Sequence, residues 1–147
     1  TVGIPEHIVG AERLLGVLGH WPTFHDAEVV SVTAGRALPV VVGGASVTLD
    51  VHVRKYESRG EGTANYEQRV VNSVLVAFRC THVTDLELSD FNHQNVINSL
   101  RVAREPSSES ANAPLVLTTE SIWGVGGTVR CARVEVTTIE ELSIADA

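Results

Sequence analysis

Apolar positions follow a helical spacing at the start of the chain and an alternating spacing after it. In "EHIVGAERLLGVL", residues 6–18, Ile8, Ala11, Leu14, Leu15 and Leu18 recur three and four positions apart, with Glu12 and Arg13 between them. This spacing predicts an amphipathic helix. Gly10 and Gly16 each cost such a helix roughly 1 kcal/mol relative to alanine, so its stability must come from packing on a sheet. Gly19 and then Pro22 supply the stop.

From Glu28 onward the pattern is that of strands: "VVSVTA" at 29–34, "LPVVV" at 38–42, a turn at Gly43 and Gly44, and "SVTLDVHVR" at 46–54. In the last of these Val47, Leu49, Val51 and Val53 oppose Thr48, Asp50, His52 and Arg54. That alternation predicts an antiparallel strand with one wet side and puts His52 in solvent. The polar, glycine-bearing "KYESRGEGTANYEQ" at 55–68 reads as a long hairpin loop. In "VVNSVLVAFRC", 70–80, Val70, Val74, Val76, Phe78 and Cys80 share a face, so Cys80 should point into the core. "TDLELSD" at 84–90 offers a short strand, and "FNHQNVINSLRVARE" at 91–105 a turn and then a strand. "PSSESANAP" at 106–114 should be an exposed loop. "LVLTTESIW" and "TVRCARVEV", joined by "GVGG", make a closing hairpin, and the tail "EELSIADA" should fray.

One helix and about seven strands on hairpin-sized loops imply an α+β domain: an N-terminal helix packed on a curled or two-layer, mainly antiparallel sheet. Crossover helices are missing, which disfavours a parallel α/β fold. At 147 residues the chain has the size of one domain, spanning 1–147, large enough to bury roughly 68–70 % of its unfolded surface without a metal or disulfide staple. Eleven lysines and arginines against eighteen aspartates and glutamates give a net charge of −7. No window gathers the basic residues with interleaved aromatics, so nucleic acid is excluded as a direct ligand. An acidic surface suits a basic protein partner instead. The sequence holds no run of about eighteen apolar residues and opens without a signal-peptide pattern, so it reads as cytoplasmic and not membrane-bound. Cys80 and Cys131 match no metal-ligand spacing and read as free buried thiols.

Candidate chemistry gathers in two short stretches. In "WPTFHDAEV", 21–29, Trp21 and Phe24 follow the helix stop, where aromatics around a proline wedge a helix end against a sheet. His25, Asp26 and Glu28 carry the residue types of an acid–base or metal cluster. Yet if the strand begins there, adjacent His25 and Asp26 project to opposite faces, and they match no recurrent ligand pattern, which favours a structural role. In "FNHQN", 91–95, Asn92, His93, Gln94 and Asn95 can either pin irregular backbone or line a recognition pocket. His82 and Asp85, at a turn between strands, lack a third ligand and read as solvated. No nucleophile elbow or phosphate loop occurs.

In order, "GHWPTFHDAEV", "VTDLELSDFNHQNVINSL" and "GTVRCARVEV" resemble the immunity protein 50 family, antidotes of bacterial polymorphic toxin systems. The most specific piece is the pairing of W-x-x-F-H-D-A-E with D-F-N-H-Q-N, and the likeness spans residues 14–138. The resemblance implies a small cytoplasmic α+β protein that binds and neutralises a cognate toxin, with no reaction, metal or cofactor. Trp21, Phe24, His25, Asp26, Glu28, Asn92, His93 and Asn95 match the family's characteristic positions, and residues shared across divergent partners point to scaffold. Recognition is then expected at exposed acidic positions, Glu57, Glu61, Glu67, Asp85 and Glu87, facing a basic toxin. The competing expectation is a small hydrolase or metal-dependent enzyme using His25, Asp26, Glu28 and His93, which requires the two stretches to meet in space.

Overall fold

The computed structural model of the protein describes residues 5–39, 44–60, 62–105 and 113–143. Among these, the helical pattern yields one helix, α1, Ala11–Leu18, shorter than the expected span of 6–18. Its missing first turn is a strand: β1, Ile8–Val9, pairs in parallel with Val134 and Glu135. Gly10 explains the break. It holds left-handed backbone at φ 80°, and a Cβ there would lie 3.0 Å from the Val136 carbonyl oxygen, so only glycine lets the chain turn this close to the sheet. Gly19, at φ 81°, ends the helix as its spacing predicts, its N–H donating to the Leu15 carbonyl at 2.7 Å. Ala11, Leu14 and Leu18 form the buried stripe.

The remaining strands are β2 Ala27–Arg36, β3 Ala45–Arg59, β4 Glu67–Val83, β5 Asp85–Ser89, β6 Val96–Arg104, β7 Leu115–Trp123, β8 Gly126–Cys131 and β9 Arg133–Glu141. They make one mixed, unclosed sheet in the order β1-β9-β4-β3-β2-β6-β7-β8-β5, antiparallel at every pairing except β1 with β9. Seven strands is therefore an undercount. Two-residue β1 hid inside the helical pattern, and "TVRCARVEV" divides at Ala132 into two strands on opposite arms of the sheet.

That division also bends the sheet. β4 pairs with β9, and directly beyond Thr84 and Ala132 the same two chains pair again as β5 with β8. Thr84 N–H donates to the Arg130 carbonyl at 2.9 Å and Ala132 N–H to the Thr81 carbonyl at 3.0 Å, carrying the ribbon through the bend. His82 sits in it with φ 52°. A ribbon that changes sheet halves at a bend forms a corner, and β8 accordingly packs against β4, and β9 against β7, across the strand order. The inner faces of both arms close on one core of aliphatic side chains around Phe78, with Val47, Leu49, Val51, Val74 and Val76 all buried as their alternation predicts.

Three further expectations need correction. The loop expected over 55–68 is strand at both ends: β3 runs to Arg59 and β4 starts at Glu67, because cross-strand pairs such as Tyr56 with Val70 and Glu57 with Arg69 extend the ladder through a polar sequence. The tail remains paired through Glu141, and Leu142 N–H still donates to the Ser73 carbonyl at 2.8 Å. His52 is not solvated: it is 7 % exposed and bonded to buried Ser73. Most of the strand expected at 38–42 and of the loop at 106–114 lies outside the described residues, as does the end of the tail; Leu38 itself is 80 % exposed and belongs to no strand.

Candidate functional site

The two sequence motifs meet where β2 and β6 begin. Ala27 pairs with Ile97 and Glu28 with Val96. Main-chain bonds lock this start: Asp26 N–H donates to the Ile97 carbonyl and Val29 N–H to the Asn95 carbonyl, both at 3.0 Å. Phe24 and Asp26 adopt left-handed backbone, φ 63° and 66°, and Ala27 N–H closes a turn onto the Phe24 carbonyl at 3.0 Å. That turn drives Phe24 inward. It is 2 % exposed and sits edge-to-face between Trp21 and Phe78, with ring centroids 5.7 and 5.8 Å away. Trp21 is only half-buried, an outer partner in this stack rather than the wedge itself.

"FNHQN" pins backbone chiefly through two amides. Asn92 Oδ1 accepts from the N–H groups of Gln94 at 2.8 Å and Asn95 at 3.1 Å. Asn95, 3 % exposed, accepts at Oδ1 from Asn92 N–H at 2.8 Å and Val125 N–H at 3.2 Å, and donates from Nδ2 to the Val29 carbonyl at 3.2 Å. One side chain thus ties the β5–β6 turn, β2 and the β7–β8 turn together. Gly124 is part of the same knot, since a Cβ there would fall 2.6 Å from Asn92 Oδ1 and 2.7 Å from Asn95 Oδ1. The sequence reading of "GVGG" as a hairpin turn accounts for the reversal but not for this close approach.

The titratable motif residues do not converge on a reactive centre. His25 Nδ1 lies 2.9 Å from Asn98 Oδ1, and its Nε2 is 3.6 Å from Asp26 Oδ2 with both side chains more than half exposed. Glu28 turns to the sheet and accepts from Arg54 Nη1 at 2.7 Å, half-buried. His93 is exposed and makes no side-chain bond among the described residues. No group of three histidine, cysteine, aspartate or glutamate side chains there is arranged to hold a metal ion.

A cleft of about 400 Å³ opens beside the first motif, with His20, Thr23, His25, Asp26, Arg54 and Tyr56 on its walls. On the paired strands β3 and β4 lies a polar pair whose histidine the sequence placed in solvent. His52 Nε2 and Ser73 Oγ are 2.6 Å apart, and burial, reinforced by the Arg54 charge and partly opposed by Glu28, holds the His52 pKa below its ordinary value. Ser73 is fully buried, which keeps this pair from acting as an exposed nucleophile and base. Cys80 and Cys131 are free, buried and in mutual contact; their hydrogen bond and burial push the Cys80 thiol up, away from reactivity.

The acidic positions divide between two places. Glu57 and Glu67 are exposed on the β3–β4 arm, the latter bonded to Arg69 Nε at 2.6 Å. Asp85 and Glu87 are exposed on β5 at the end of the strand order, and Glu61 lies outside the described residues.

The family model for immunity protein 50 matches residues 10–142. The chain belongs to the immunity protein 50 family. No curated protein and no solved structure matches it. The match extends beyond the 14–138 carried by the motifs and takes in α1 and nearly all the described strands. No helix among its described residues is long and apolar enough to cross a membrane.

Proposed function

We propose that this chain binds a cognate bacterial toxin domain in the cytoplasm and neutralises it by occlusion, without catalysis. Membership of the immunity protein 50 family across residues 10–142 carries the reading. The site's geometry supports it. Phe24, Glu28, Asn92 and Asn95 are committed to the protein's own stack, ion pair and backbone knot, and Trp21 to the edge of the stack. A motif used in this way preserves a scaffold while exposed positions vary with the partner.

Docking falls to exposed acidic groups, Glu57, Glu67, Asp85 and Glu87. The net charge of −7 favours a basic toxin by speeding encounter and rejecting like-charged proteins. Co-expression with the toxin domain encoded beside this chain tests the reading: growth should be rescued and the two proteins should co-purify. Continued killing with no complex would remove it.

A further inference from the structure

The apolar opening at the free end of the sheet suggests where that toxin docks. β5 ends the strand order, paired with β8 on one side and with no strand on the other among the described residues. From Ser31 onward β2 likewise has β3 as its only strand partner there. These two edges flank one cavity of about 320 Å³, lined by Val32, Leu86, Leu88, Phe91 and Val125. Val125 is 1 % exposed, whereas Leu86 and Phe91 are 38 % and 54 % exposed, so the cavity runs from the core to an apolar rim.

Alternation along β5 sets the chemistry of an added strand. Leu86 and Leu88 line the cavity, and the intervening Asp85 and Glu87 face the other way, exposed. Neither carboxylate makes an ion pair among the described residues. Arg130, opposite Asp85 on β8, instead bonds Glu105 at 2.6 Å. An open edge with unpaired main-chain groups is a template for strand addition, and cross-strand neighbours favour opposite charges on one face and apolar pairs on the other.

We infer that β5 is the docking edge for an extended segment of the toxin in which basic and apolar residues alternate, the apolar ones filling the cavity and the basic ones facing Asp85 and Glu87. This inference rests on the toxin-binding reading above. A second copy of the chain is disfavoured as occupant because it would bring Asp85 and Glu87 against acidic residues like themselves.

Hydrogen–deuterium exchange of the full chain, alone and with the neighbouring toxin domain, tests the edge directly. Amides of 85–89 should slow in the complex, and Asp85→Lys with Glu87→Lys should weaken binding about tenfold or more at an unchanged melting temperature. A complex with unaltered exchange at 85–89 and undiminished affinity of the double variant would overturn the inference and leave the proposed function standing. If no complex forms, the proposed function fails by itself, and a short peptide alternating lysine and valine becomes the probe. It should protect 85–89 where its glutamate–valine counterpart does not, and absence of that difference would overturn the edge too. Concentration-dependent protection of β5 without toxin would assign it to self-association and likewise overturn the inference.

Discussion

Replacing Asn95 by alanine should cost this domain a large part of its stability, although the neighbouring motif residue His93 can be replaced freely. Two of the three bonds of Asn95, from Val125 N–H and to the Val29 carbonyl, are fully buried. Left without partners, those groups each cost about 1–3 kcal/mol. The third partner, Asn92 N–H, is part-buried and can return to water. Asn95 also holds left-handed backbone at φ 48°, which penalises alanine by about 1 kcal/mol more. The expected loss is about 3–7 kcal/mol, against a total of about 5–15 kcal/mol for a domain. Urea unfolding with an unchanged m value measures it. Asn95→Gly should recover the backbone share alone, since glycine adopts positive φ without strain. A loss under about 1 kcal/mol, or the same loss for His93→Ala, would refute the view that this amide ties three segments together.

Further outcomes follow from the aromatic stack and the buried histidine. Phe24→Ala should destabilise by about 3–5 kcal/mol and half-buried Trp21→Ala by about 1–3 kcal/mol; a lower melting temperature for the Trp21 variant than for the Phe24 variant would contradict the assigned order of burial. His52 has its folded pKa below the ordinary 6.5, so the unfolded chain binds the proton more readily. Stability from this residue is therefore full above pH 6.5 and is lost as the pH falls through 6.5 toward the lowered folded value. Unfolding free energies across that window should slope upward with pH, less so in His52→Gln, and equal slopes would place His52 in solvent.

Local alternation made much of this fold legible. The buried face of β3 and the core placement of Phe78 and Cys80 follow from period-two spacing that tertiary contacts reinforce. The helix start was not legible, because Ile8 suits a helix stripe as well as a strand and only the approach of Gly10 to β9 decides between them. His52 was misplaced for a related reason. Its alternation puts it on the polar face, but that face also carries Ser73, Leu75 and the ion pair of Arg54 with Glu28, which together close over the imidazole. At the candidate site, both motifs were visible as residue types, while Gly124 and Val125, which complete the knot with Asn95, lie in a turn with no chemical signal of its own. The free edge at β5 depends on strand order, which a short run of alternating residues does not encode.

Stoichiometric titration of the toxin tests the central claim most directly. Purified toxin from the adjacent reading frame is assayed for its own activity while this chain is added in increasing molar ratio. Occlusion by a non-catalytic binder predicts that activity falls linearly and reaches zero at one chain per toxin, with added salt slowing the approach by screening the acidic surface. Full inactivation by a small fraction of an equivalent would mean turnover and an enzyme, and undiminished activity at excess would mean that this toxin is not its target; either result contradicts the account.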